Sequence, residues 1–443
     1  MISDPTYDEA FVWTWLPGAT EPVVAGRVVR AGEQMLFNYG QSYLARDNAI
    51  ALYEPELPLR RGTLPLLNGL TMPGCLRDAA PDAWGRRVII NRKLGMRGAQ
   101  IDTGELDEMT YLLESGSDRI GALDFQLSPS EYVPRETASA SLDDLQSAVA
   151  SIERGVKLSP DLERALFHGS SIGGARPKAM ITTHERKYIA KFSSQSDVYS
   201  VVKAEYIAMR LAAEVGIHAA PVQLEYVGGK DVLLIERFDR VRAPHGWQRR
   251  AMVSALTLFE LDEMMARYAS YEEFATLIRH RFTNPGATAK ELFARLLFNV
   301  LCGNTDDHAR NHAAYWNGRE LTLTPAYDIC PQARAGNEAT QAMLIVGNER
   351  YSRIDTCVRA APLFLLSHDE ALALARQQIE VILERWDAVC ADAQLSDVDR
   401  ELMWRRQFLN PFAFEGAPPE LAALVQQARG ASRTGDASNH SNH

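Results

Sequence analysis

Asp306 and Asn311 stand five positions apart in "NTDDHARN", directly behind the apolar run "LLFNVLCG". A carboxylate and a carboxamide at that spacing can divide one task between them. The first accepts the proton of an attacking hydroxyl, and the second offers its carbonyl oxygen to a divalent cation. Asp328 follows seventeen residues after Asn311, at the end of the extended run "LTLTPAYD", where a further cation ligand would stand. The three together fit phosphoryl transfer, which needs donors around the phosphates, a cation on their oxygens and a carboxylate to orient the acceptor. The plain alternative is an Asp/Asn-rich helix cap with Asp328 as a turn residue.

The parts that this chemistry also requires lie upstream, in a suitable order. In "GSSIGGARPKAMI", Gly173 and Gly174 precede a strand, so their backbone N–H groups could face a phosphate without obstruction by side chains. The segment is not GxxxxGK[ST], which excludes a Walker P-loop, and a structural turn is the competing reading. Lys191, flanked by Ile189, Ala190 and Phe192, is either an edge-strand lysine reaching for water or a buried, partnered cation. Glu205, fourteen residues on in a predicted helix, is the available partner. The D-x-x-x-x-N spacing of Asp306 and Asn311 is that of a kinase catalytic loop. His308 and His312 are four apart, yet no HExxH glutamate accompanies them, so zinc is not expected; His308 is expected to bond within the loop or reach a phosphate. No GxSxG elbow supports a serine hydrolase.

The elements that must position these residues follow from hydrophobic periodicity. Short β-rich runs over Phe11–Trp15, Val23–Val29 and Met35–Tyr39 predict a meander, followed by a helix after Pro81, another over Leu106–Gly116, and a strand at "RIGALDFQ". A Ser/Glu/Pro-rich link at 128–140 suggests a boundary, with a helix over Leu142–Arg154 beyond it. "KAMITTHERKYIAKFSS" reads as a hairpin, "AEYIAMRLAAEVG" as a helix ended by Gly216, and "VQLEYVGGKDVLLIERFD" as a hairpin with a Gly-Gly turn. After Gln248 the pattern is nearly all helical to Gln427. The resulting expectation is an α+β chain with a β-rich module at 1–127, an α/β lobe at 128–247, a helical lobe at 248–427 and a disordered tail at 428–443.

A hydrophobic content of 46% over 443 residues suffices for two or three cored domains. The net charge of -10 and pI near 5.6 argue against nucleic acid as a direct ligand. The five cysteines form no CxxC pair and read as buried thiols in a reducing compartment. No leader is evident, and no apolar run reaches the roughly 18 residues of a membrane span, so a cytoplasmic protein is expected. The Arg-rich run from Arg237 to Arg250 reads as a solvated loop, or as a holder of an acidic partner.

The motifs "SSIGGARPK", "YIAKF", "AEYIAMRLA", "LLIERFDR", "NTDDHARN" and "LTPAYDI", in this order, resemble the HipA-type toxin kinases, the Ser/Thr kinase halves of bacterial toxin–antitoxin pairs. The β-rich opening and "LRDAAPDAWGRRVI" resemble that family's N-terminal module. The resemblance implies a two-lobed kinase-like fold using ATP and Mg2+. In it Asp306 would be the catalytic base, Asn311 and Asp328 (preceded by Tyr327) the magnesium ligands, and Lys191 the phosphate-binding lysine. Gly173, Gly174, Ala175, Arg176, Pro177 and Lys178 would form the phosphate loop, and Glu236, Arg237 and Phe238 the hinge against which adenine lies. Ser171, or its neighbour Ser170, would be autophosphorylated. Implied partners are a small helix-turn-helix antitoxin, DNA only through that antitoxin, and a protein substrate such as an aminoacyl-tRNA synthetase.

Two departures stand out. "GGARPK" replaces the common Gln-Glu-Lys, and Asp307 replaces a common glycine, which is expected to put a second carboxylate near the metals. A small-molecule phosphotransferase of the aminoglycoside or choline kinase type is the rival enzyme, although its loop usually carries His where Asn304 stands. A non-catalytic co-repressor is the rival outside enzymes.

Overall fold

The strands at the start of the chain begin and end where the turn residues delimit them. β1 (Glu9–Thr14), β2 (Val23–Ala31), β3 (Gln34–Tyr39) and β4 (Leu123–Gln126) form an antiparallel sheet in the order β3-β2-β1-β4. Gly26 is required in β2, because a Cβ there would lie 2.2 Å from the Asn38 carbonyl oxygen of β3. The structure is a computed structural model that describes residues 7–94, 104, 106–135, 141–153, 176–194, 197, 199–334 and 336–427. The expected tail at 428–443 lies outside the described residues. Contacts divide the chain into two units: Met1–Val198 with Gln223–Glu263 and Ala313–Thr324, and Tyr199–Val222 with Met264–His312 and Pro325–His443.

The first unit takes in both the opening module and the strands of the expected second segment. Helices α1 (Ala83–Leu94), α2 (Glu108–Glu114) and α3 (Leu142–Glu153) fall close to their predicted positions. A second sheet has the order β5-β6-β8-β7, from β5 (Lys178–Thr182), β6 (Lys187–Phe192), β7 (Val222–Val227) and β8 (Lys230–Glu236). Alternation along β6 sends Tyr188, Ala190 and Phe192 into one core with Trp84, Val88, Leu145 and Val149 from α1 and α3. Gly228 and Gly229, both with positive φ, make the two-residue turn between β7 and β8.

Two expectations are corrected here. The Arg-rich run is not a solvated loop but a hairpin of β9 (Arg240–Ala243) and β10 (Gly246–Arg249), with Arg237, Arg240 and Arg249 buried. The part after Gln248 is not continuously helical either. β11 (Met252–Ser254), β12 (Ala313–Trp316) and β13 (Leu321–Leu323) form a three-stranded antiparallel sheet of the first unit.

The second unit is helical, with α4 (Val201–Glu214), α5 (Tyr271–Arg281), α6 (Pro285–Cys302), α7 (Ile354–Ala360) and α8 (His368–Asp392) as its main elements. α8 opens on a capping box, the Ser367 side chain accepting from Glu370 N–H while Glu370 accepts from Ser367 N–H. All five cysteines are buried free thiols. Among the described residues no helix is long and apolar enough to cross a membrane.

Candidate active site

The loop carrying Asp306 hangs from a helix end that admits little freedom. α6 starts with Pro285 in its first turn, and its later residues, among them Leu296, Leu297, Phe298, Val300 and Leu301, are fully buried. It stops at Gly303, whose φ of 76° suits glycine and where a Cβ would meet the Gln407 carbonyl oxygen at 2.7 Å. Asn304 then fastens the chain to the last turn twice. Its N–H donates to the Asn299 carbonyl at 2.9 Å, and its Nδ2 donates to Asn299 Oδ1 at 3.0 Å. The residue that stands where rival enzymes usually carry histidine is therefore a buried clasp.

From this fixed point the two successive aspartates part. Asp306 is exposed, whereas Asp307 is buried and accepts hydrogen bonds from His312 Nε2 at 2.9 Å and from the Tyr271 hydroxyl. Burial alone would raise the Asp307 carboxyl, but His312 and the two hydrogen bonds hold it below the usual carboxylate range. The expectation that Asp307 adds a carboxylate at the metals is thus corrected: its side chain anchors the loop to α5 and to His312. The same bond commits His312 Nε2 to anchoring the loop.

Asp306 behaves in the opposite way. Partial withdrawal from water raises its carboxyl above the ordinary value, His308 opposes the rise, and the Asp328 and Asp307 carboxylates add to it. Asp306 and Asp328, far apart in sequence, are therefore near enough to feel each other's charge. Asn311 is buried, and its Nδ2 donates to the Asp306 backbone carbonyl at 3.2 Å, which turns the amide so that Oδ1 is the atom left for a cation. Asn311 N–H donates to the His308 carbonyl at 2.8 Å across a single 3-10 turn, Ala309–Asn311. Tyr327 braces the same loop, its hydroxyl donating to the Arg310 carbonyl at 2.8 Å. Asp328 sits in the left-handed region at φ 58°, a conformation that Asp tolerates better than most residues. The donors so gathered are oxygens, the ligand type that magnesium prefers, usually as one or two carboxylates beside phosphates and water.

In the first unit, Lys191 proves to be a buried cation on the inner strand β6 rather than an edge lysine, with 8% of its surface exposed. Lys178 of β5 is directly opposite, at 5% exposure, so both ammonium side chains rise from the sheet face opposite the Tyr188, Ala190 and Phe192 core. Two like charges opposed on neighbouring strands are unfavourable unless anionic groups lie between them. Arg176 pairs with Asp197 at 2.9 Å, and Pro177 is buried with its carbonyl accepting from Phe192 N–H at 3.1 Å. Ser171, Gly173, Gly174 and Ala175 lie outside the described residues.

At the expected hinge the Glu236 carboxylate pairs with Arg186. Arg237 N–H donates to the Lys187 carbonyl at 2.8 Å, and the Arg237 guanidinium is buried between Asp118 and Asp239, so Arg237 offers no side-chain contact to a ligand. Phe238 is half-buried, its carbonyl accepting from the Tyr315 hydroxyl at 3.0 Å. Glu205 is buried in α4 of the second unit, with 2% of its surface exposed. Sequence reasoning missed the roles of Tyr271 and His312. No local signal marked Tyr271, whereas the Asp307 that follows an apolar helix could have been read as an inward carboxylate.

The D-x-x-x-x-N loop of the second unit and the buried sheet lysines of the first are each features that fit a kinase-like phosphotransferase. The family model described as the HipA-like C-terminal domain matches residues 170–394, and that of the HipA N-terminal domain matches residues 19–126. The chain belongs to the HipA family, and it is a kinase of that family. A protein provisionally named as the kinase Y4mE of Sinorhizobium fredii is 26% identical over 322 residues, 66% of this chain and 71% of that one. The serine/threonine-protein kinase toxin HipA of Shewanella oneidensis is 26% identical over 185 residues, 36% of this chain and 42% of the toxin. The solved structure of a Shewanella oneidensis HipA, in complex with HipB and operator DNA, superposes with a TM-score of 0.65 at 18% identity, over 94% of this chain and 97% of that one. The fold is therefore the α+β, kinase-like HipA fold.

Proposed function

We propose that the chain is an ATP- and magnesium-dependent serine/threonine protein kinase that acts as the toxin of a toxin–antitoxin pair. The observation that carries this reading is that the Asp328 carboxylate acts on Asp306, whose backbone carbonyl accepts from the Asn311 amide and turns it. In the reaction Asp306 takes the proton of the acceptor hydroxyl, for which its raised carboxyl value brings it closer to working pH. Asn311 and Asp328 hold magnesium, which when bound neutralises charge on the transferred phosphate. Lys191 and Lys178 hold phosphate oxygens, and adenine lies against the segment from Glu236 to Phe238.

A small helix-turn-helix antitoxin is the proposed partner, as the naming of HipB in the similar complex suggests, with DNA reached only through it. The proposed substrate is a protein of translation such as an aminoacyl-tRNA synthetase, with Ser171 as a self-modified residue and the cytoplasm as the place of action. Incubating the purified chain with labelled ATP and magnesium tests the reading. Label on the protein itself and on a protein acceptor, lost in Asp306→Asn, is the expected result. Label only on aminoglycosides or choline would replace it with the small-molecule phosphotransferase.

A further inference from the structure

The Arg-rich hairpin does not take part in the proposed transfer, yet it builds a site of its own in the first unit. A cavity of about 180 Å³ is lined by Trp15, Tyr132 and Trp247 and by Lys187, Arg240 and Arg249. Its cations are held in place rather than loose. Lys187 pairs with Asp118 at 2.7 Å and lies 5.5 Å from the Trp247 ring, and Arg240 is bound by both Asp118 and Asp239. Arg249, only 9% exposed, stacks at 3.5 Å over Trp15 and donates to the Ser117 carbonyl at 2.8 Å, but among the described residues it has no carboxylate within ion-pair distance.

Charge does not balance in this network. Lys187, Arg237, Arg240 and Arg249 face Asp118 and Asp239, a surplus of two positive charges among the described residues. Crowding is felt directly at Arg240, where burial first and Arg237 second lower the guanidinium to about 10. A buried surplus of this kind is relieved by an anion, and the flanking rings add an apolar wall on which an organic group can rest.

We infer that this cavity binds a phosphate monoester, its dianion meeting Arg249 and Lys187 and its organic part lying on Trp15 and Trp247. A phosphate dianion offsets more of this buried positive charge than a carboxylate does. The source is either a phosphorylated side chain or a free phosphate compound, which share the same recognised group. Glu21, exposed at the cavity wall, is the one acid among the described lining residues and opposes binding.

Tryptophan fluorescence of the full chain, titrated with inorganic phosphate and with O-phosphoserine against potassium chloride at matched ionic strength, tests the site. A saturable change is expected with phosphate or phosphoserine and not with chloride. Arg249→Gln should weaken it about tenfold, the loss of one charge-assisted contact. Glu21→Gln should tighten it a few-fold, and because Glu21 is exposed this variant keeps the test intact should Arg249→Gln fail to fold. Tighter binding of phosphoserine assigns the site to phosphorylated side chains, and equal binding assigns it to free phosphate. An absence of saturation with both anions, or a Glu21→Gln titration identical to the wild type, overturns the inference.

Discussion

His312 Nε2 donates to Asp307 Oδ2 at 2.9 Å inside the helical unit, while the adjacent Asp306 faces water. Neighbouring carboxylates therefore carry opposite shifts: partial withdrawal from water and nearby acids push Asp306 up, whereas His312 and its hydrogen bond hold Asp307 down. Opposite shifts predict opposite consequences for function and stability.

Asp306→Asn should abolish phosphoryl transfer, by about 3 kcal/mol or more of barrier, and leave the melting temperature unchanged or slightly higher. A raised carboxyl value means that the folded state favours the protonated form, so its stabilising effect is present at low pH and lost as pH rises through the folded value. The neutral amide keeps that form at every pH. For the same reason the acid limb of the wild-type rate profile should lie above the ordinary aspartate value of about 3.9. Initial rates across pH beside thermal melts check both, and wild-type turnover in Asp306→Asn would sink the assignment.

Asp307→Asn should do the reverse, losing about 3 kcal/mol of stability because His312 and Tyr271 are left with a poorer buried partner. Asp307 has a depressed value, so the stability it brings is present above about pH 4 and lost as pH falls through the folded value. Urea unfolding at pH 7 and at successively lower pH should show the gap between wild type and variant closing on the acid side. A constant gap would mean that packing, not charge, sets the difference.

Asp328 adds a backbone test. Asp328→Asn and Asp328→Val should both lose transfer, but only the valine should also destabilise the fold, by about 1–3 kcal/mol, because a β-branched residue is strained at φ 58°. Comparing melts of the two variants separates the ligand role from the conformational one. Equal melts would show that the loop relaxes without cost.

How far the sequence could be read depended on whether a signal was local. The β5–β6 hairpin, the Gly-Gly turn after β7 and the helix ended by Gly216 were legible because glycines and alternation mark them within a few residues. β12 was not, since four residues give no measurable period and its pairing with β11 joins distant chain, whereas β13 lies in the run already read as extended. Asp306, Asn311 and Asp328 were legible by spacing. The inward turn of Asp307 depends on Tyr271, and the burial of Arg237 depends on Asp118, partners that no local pattern announces.

Lys191→Met should weaken nucleotide binding at least about tenfold, because methionine refills the apolar stem on β6 and removes the charge. Nucleotide titration by calorimetry measures the effect. Equal affinity for the two proteins would reduce Lys191 to a strand residue.

Ser171 should become phosphorylated by the kinase itself and the product should be inactive. Ser171 precedes Pro177 by six residues. Pro177 is buried and tied by its carbonyl to Phe192 N–H, next to the strand position where Lys178 opposes Lys191. About two negative charges added a few residues from lysines proposed to hold ATP phosphates would compete for the same cations and repel the nucleotide. Intact mass and peptide mapping after incubation with magnesium and ATP, on wild type, Ser170→Ala and Ser171→Ala, identify the residue, and activity before and after incubation reads the inactivation. Phosphate persisting in Ser171→Ala but vanishing in Ser170→Ala would move the site by one residue. An unmodified chain that remains fully active would remove self-inhibition while leaving transfer to other proteins untouched.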